Sequence, residues 1–256
     1  MNRMRIALIA ALAALACSAP ASIVRAAEPL TVLCAGAAST VIQQFARDFE
    51  RAHGRAVVVT EGTTGQITAK LAAGERADVV ILSAPALDTL TANGGILAGT
   101  RVDLGRTGIG VGIRAGAPVP DLSTAETFKA ALLAAPSIAS TDPAAGASSG
   151  IYFAGVLQKM GIADAVRPKE TLVEGGSSCD LVAAGKVALC VQNISEIVPV
   201  KGVVVAGPFP AAMQNYITYS AAVAKGSTAP DDARAFIADA MSPARVQVWK
   251  SGGFER

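Results

Sequence analysis

LTVLCAGAAST, residues Leu30 to Thr40, decides the fold: a short unbroken apolar run, a turn of small residues, then polar residues opening a helical pattern. The same order returns in AVVVTEGTTGQ (Ala56 to Gln66), ADVVILSAPA (Ala77 to Ala86) and SIASTDPAAGASSG (Ser137 to Gly150). Apolar runs of this length without alternation read as strands buried on both faces, the mark of a parallel sheet. In such sheets ligands sit beyond the carboxyl ends of the strands, where helix N-termini aim free N–H groups. The turns are rich in Ser, Thr and Gly and nearly free of charge. The expected ligand is therefore a small anion held by neutral donors.

Outward from that stretch, a first helix is expected to start near Ser39, with Val41, Ile42, Phe45 and Phe49 at helical spacing and Gly54 as its stop. A second starts near Thr64 and ends at Gly74; a third takes Ser83 as N-cap, with Pro85 in its first turn, and stops at Asn93-Gly94-Gly95. Thr107 to Arg114 (TGIGVGIR) is glycine-rich and extended and reads as a strand crossing into a second lobe. Helices are expected over 123–135, 149–160 and 178–184, and strands over 137–140, 187–191 and 203–206. Asn215 to Ala224 reads as the return crossing. The fold class expected is α/β, with two lobes of doubly wound sheet, residues 28–107 with 215–256 and residues 108–214, joined by two extended strands that permit hinge closure.

Residues 1–27 read as an export signal: Arg3 and Arg5, an apolar segment from Ile6 to Ala16, and small residues for cleavage near Ala26 or Ala27. The apolar segment is too short to span a bilayer, so an exported, periplasmic chain is expected. Removing Arg3, Arg5 and Arg25 leaves 19 basic against 20 acidic residues, so the formal charge falls from +2 to −1. No basic excess remains to hold nucleic acid or an anionic membrane. Cys179 and Cys190 stand eleven apart; a disulfide and two buried thiols are both open, and Cys34 is left unpaired. No cysteine or histidine spacing suggests a metal site, and no cofactor is expected.

Enzyme motifs are sparse. The single histidine, His53, sits at a helix end beside Gly54, where it suits the dipole. The glycines of Gly108-Ile109-Gly110-Val111-Gly112 lack dinucleotide-loop spacing and open no helix. Glu61, in the turn after the second strand, either faces away from an anion site or serves as a general base. The binding candidates are Ala38, Ser39, Thr63, Thr64 and Ser83 at strand ends of the first lobe, and Ser148, Ser149, Gln192 and Asn193 in the second. Each hydroxyl or amide offers neutral hydrogen bonds, although singly each also suits a helix cap.

At Leu30 to Ser39, at the helix stretch Phe45 to Glu50, at Gly62-Thr63-Thr64-Gly65 and at Ala77 to Ala84, the chain resembles the periplasmic molybdate-binding (type 2) solute receptors of ABC importers. The resemblance implies a two-lobed receptor, a monomer delivering a small oxyanion or carboxylate to an importer permease. Ser39 and Thr64 would then be donors from the first lobe and Ser149 from the second, with Tyr152, Tyr216 and Tyr219 as candidates for a ligand-contacting tyrosine. Through Arg101 to Gly105, Val111 to Asp121 and Ser140 to Tyr152 it also resembles a divergent branch that includes the periplasmic aconitate isomerases. That likeness implies proton transfer on a tricarboxylate, with Glu61 as the base. Receptor is the first reading and isomerase the alternative.

Overall fold

The computed structural model describes residues 28–256; the leader expected over 1–27 lies outside them. In chain order the elements are β1 (Leu30–Ala35), α1 (Gly36–His53), β2 (Val57–Gly62), α2 (Thr64–Ala72), β3 (Val79–Ser83), α3 (Ala84–Ala92), β4 (Val102–Arg114), α4 (Ala125–Ala134), β5 (Ile138–Thr141), α5 (Ser148–Lys159), α6 (Ala163–Val166), β6 (Glu170–Val173), α7 (Cys179–Ala183), β7 (Leu189–Asn193), α8 (Ile194–Ile197), β8 (Val203–Pro208), β9 (Tyr216–Val223), α9 (Pro230–Met241) and α10 (Val246–Ser251).

The strands run in the order β2-β1-β3-β9-β4-β7-β5-β6, with β8 also paired to β4. β1 is parallel to both β2 and β3, as expected for strands joined by helices. The 13-residue β4 changes partners along its length. Its first half, to Gly108, lies antiparallel to β9; from Ile109 onward it pairs β7 and β8 instead. One strand thus belongs to two half-sheets, and the chain returns from the second to the first just before β9. β9 itself pairs β3 and β4 within the first half.

Each half closes around its own aromatic residues. Phe45 and Phe49 of α1 meet Trp249 and Phe236 edge-on, with ring centroids 5.4 and 5.5 Å apart. The Trp249 indole N–H donates to the Ala240 carbonyl at 2.8 Å, so the one polar atom of that ring is satisfied in the core. In the second half Phe128 and Phe153 pack on Phe209. The first helix departs from expectation. It begins at Gly36, three residues before Ser39, so Ser39 is a buried residue of the first turns and not the cap.

Asp78 shows why the first half holds its register. It is 4% exposed, and its carboxylate accepts from Thr31 N–H and Oγ1 on β1 and from Ser227 Oγ and Thr228 N–H after β9. Burial would raise its pKa, but these hydrogen bonds outweigh that and hold it below the ordinary aspartate value. Asp78→Ala is expected to cost about 2–4 kcal/mol, because four donors lose their acceptor. Since the folded pKa is the lower one, the contribution is present above pH ~4 and is lost as the pH falls below it. Urea unfolding of wild type and variant at pH 7 and pH 3 checks both statements; an equal gap at the two values would refute the second.

Candidate functional site

A cleft opens between the halves where the carboxyl ends of β1, β2 and β5 meet the start of three helices. Ala35 at the end of β1 and Gly36 and Ala37 of α1 line it, with Glu61 and Gly62 at the end of β2, Thr63 and Thr64 at the start of α2, and Ala147 to Ser149 at the start of α5. Thr141, Gly176, Asn193, Glu196 and Tyr219 complete it. The N-cap positions of α1 and α5 are Ala35 and Ala147, neither of which supplies a side-chain cap. The first N–H groups of both helices, 18 and 12 residues long, therefore lack a side-chain acceptor where they meet the cleft. Two helix dipoles from opposite halves favour negative charge there.

The uncharged lining expected from the turns is not what the fold builds. Two carboxylates enter the cleft, Glu61 from β2 and Glu196 from α8. The short helix α8 follows β7 directly and lays Glu196 against the start of α1, where a Cβ added to Gly36 would stand 3.0 Å from Glu196 Oε1. Burial raises the Glu196 pKa to about 7 and the negative charge of Glu61 adds to the rise, against hydrogen bonds from Asn193 and Gln192. Asn193 Nδ2 donates to Glu196 Oε2 at 2.6 Å and lies 3.3 Å from the Tyr219 hydroxyl. Burial, with the charge of Glu196, pushes the Tyr219 phenol well above its usual range, so it stays a neutral donor.

The sequence candidates divide. Thr63, Thr64, Ser148, Ser149, Asn193 and Glu61 share the cleft. Ala38 and Ser39 lie behind it, because the early helix start brings Gly36 and Ala37 forward instead. Ser83 precedes α3 without capping it and is not a cleft residue. Gln192 is inside β7, not after it; its Oε1 accepts from Ser178 N–H and Oγ at 2.9 Å each, and its Nε2 donates to Gly176 O. Tyr152 turns away to donate to Met213 O at 2.8 Å. Of the three tyrosines, Tyr219 reaches the cleft. Glu196 escapes sequence reasoning, since four helical residues show no periodicity.

Much of the hydroxyl chemistry is used inside the protein. Thr63 accepts from Gln66 N–H in a capping box and donates across the cleft to Ala145 O. Ser149 and Thr141 hydroxyls pair at 3.1 Å. Gly65 N–H meets Gly146 O at 3.2 Å, and Gln66 Nε2 meets Glu174 O at 3.0 Å, so the halves touch along one rim. Only glycines allow that approach: a Cβ on Gly146 would fall 2.6 Å from Gly65 Cα.

Residues 30–255 match the family described as bacterial extracellular solute-binding protein. The chain belongs to that family. This solute-binding protein is 35% identical over 221 residues, 83% of each chain, to an aconitate isomerase from a Pseudomonas species. Its fold is that of the periplasmic molybdate-binding protein of Azotobacter vinelandii, at a TM-score of 0.75 and 21% identity over 89% of this chain and 99% of that one. The sulfate-binding protein SubI of Mycobacterium tuberculosis H37Rv superposes at 0.65 with 18% identity, over 89% and 86%. The two-lobed α/β receptor fold is thereby shown. Among the described residues no helix is long and apolar enough to cross a membrane.

Because Glu196 carries a raised pKa, the fold prefers it protonated while the unfolded chain ionises it near pH 4.5. Stability therefore falls as pH rises from about 4.5 to 7 and the penalty stays constant above. Glu196→Gln, which keeps the neutral form, is expected to melt above wild type at pH 8 and together with it at pH 4. Calorimetric scans across that range test it, and a gap that does not grow with pH would remove the buried-acid account.

Proposed function

We propose that this solute-binding protein is an exported enzyme that moves a proton along the carbon skeleton of a small polycarboxylate, with cis- and trans-aconitate as its substrates. The observation that carries this reading is the carboxylate pair, Glu61 and Glu196, set in a cleft that also receives the uncapped N-termini of α1 and α5. A receptor that only holds an anion gains nothing from two carboxylates beside it. A proton-transfer site needs them. The 35% identity to an aconitate isomerase supports the same choice.

The chemistry closes without a co-reactant. Aconitate carries a CH2 between one carboxylate and a C=C bond conjugated to another. A carboxylate base takes a proton from that CH2, and the pair left behind forms a new C=C bond to the central carbon. The old double bond opens toward the far carboxylate, and its carbon takes a proton to become the new CH2. The skeleton is unchanged, and the geometry of the new bond is set by the conformation in which it forms. Glu61 takes the role of base. Glu196, with a pKa of about 7, holds both protonation states near neutrality and gives the far carbon its proton; exchange with solvent then removes the proton left on Glu61 and restores that on Glu196. The α1 and α5 N-termini hold substrate carboxylates, each favourable dipole contact contributing about 0.3–1 kcal/mol. Two lobes, residues 28–107 with 215–256 and residues 108–214, close over the substrate, and residues 1–27 direct the chain to the periplasm.

The family description favours a second reading, a receptor delivering the anion to an importer permease. One assay separates the two. Purified protein with trans-aconitate should form the cis isomer, followed by NMR, and Glu61→Gln or Glu196→Gln should each lower kcat by about 10²–10⁴-fold. A flat trace with a raised melting point in aconitate supports the receptor; a flat trace with no thermal shift removes the isomerase and, with it, aconitate as the receptor's anion.

A further inference from the structure

We propose that Ser39 acts on Glu61 and not on the ligand: it is a positioning residue that, with Gln43 behind it, fixes the carboxylate facing the cleft. Resting on the proton-transfer reading above, this reverses the role that likeness to the molybdate receptors implies for Ser39.

A serine hydroxyl has one hydrogen to donate. That of Ser39 goes to Glu61 Oε2. Its oxygen accepts from Gln43 Nε2 at 3.1 Å, one helical turn along α1. Ser39 is 2% exposed and is not among the residues facing the cleft. No hydrogen is left for an anion, and the side chain has no path to one. The two ends of the contact come from neighbouring elements: Glu61 stands beside Cys34 in the β1–β2 register, and Ser39 lies in α1, which leaves the end of β1. The bond therefore spans the turn that opens the cleft. With Oε2 held, the exposed glutamate loses the freedom of its side-chain torsions, and Oε1 is the oxygen left to meet a substrate proton.

The pattern is testable because a ligand donor and a positioning residue fail differently. With trans-aconitate as probe, Ser39→Ala should lower kcat about tenfold and move KM by less than about twofold, since only a transition-state contact is disturbed. Ser39→Thr, which keeps the hydroxyl, should recover most of the rate. In the Glu61→Ala background, Ser39→Ala should have no further effect, because its partner is already gone. A raised KM at unchanged kcat, or a full additional loss in the Glu61→Ala background, would overturn the proposal. If the wild type does not turn over, the isomerase reading fails by itself. The Ser39–Glu61 coupling is then read from thermal unfolding of the same four proteins, where strictly additive losses overturn it.

Discussion

Two long helices with alanine at the N-cap position set the terms for everything else in this molecule. Every α-helix leaves its first N–H groups without an internal acceptor. Placing Ala35 and Ala147 where Ser, Thr, Asp or Asn would cap them forgoes about 0.5–2 kcal/mol at each site. By contrast α4, away from the cleft, has a full box built from Thr124 and Thr127. The two bare ends come from opposite halves and open on one cleft. A negatively charged guest answers both at once, so binding and closure draw on the same unsatisfied donors.

The carboxylates in that cleft make sense only against this background. Glu196 lies over the first residue of α1, where a helix dipole favours an anion. Burial and Glu61 nevertheless push its pKa to about 7, so desolvation outweighs the hydrogen bonds from Asn193 and Gln192. A carboxylate guest entering the same space brings further negative charge and drives Glu196 toward its protonated form. On the proton-transfer reading proposed above, the guest thereby prepares the acid that reprotonates it, and Glu61, tied to Ser39, serves as the base. Asn193 and the neutral Tyr219 hydroxyl supply hydrogen bonds without adding charge.

Much of the fold was legible from periodicity and punctuation. The unbroken apolar runs became β1, β2, β3 and β5, and Gly54 ends α1 in the left-handed conformation expected of a stop. The site was less legible, for identifiable reasons. Gly36-Ala37-Ala38 looks like a turn before a serine cap, which places the expected helix start three residues late; Ser39 is a buried residue inside the first turns of α1. An uncapped helix end has no positive signature. For Glu61 the sequence leaves facing away and acting as base both open, and its place in the cleft depends on the close of β2 against α1, which spacing does not carry. Glu196 sits on a four-residue helix that no period can reveal. The cysteine alternatives stay open in the sequence because separations are not sequence properties; Cys179 and Cys190 are bonded, with Cα atoms 5.2 Å apart, and Cys34 is free and buried.

The strand β7 explains why the glycines of TGIGVGIR are where they are. Along β7 alternate residues face one side. Cys190 bonds α7, and Gln192 holds Ser178 and Gly176 in the segment that brings Gly176 to the cleft and Glu174 to Gln66. Asn193 then orients Glu196. The paired strand β4 offers Gly110 opposite Gln192 and Gly112 opposite Cys190. A Cβ on Gly112 would stand 2.5 Å from Cys190 Sγ, and one on Gly110 would stand 2.8 Å from Ile194 Cγ1. Any side chain there would lift α7 and α8 off the sheet, and with them both the rim segment and the Glu196 carboxylate. The glycine spacing that fits no nucleotide loop is thus a packing requirement, and it ties the crossing strand between the halves to the placement of the cleft acid.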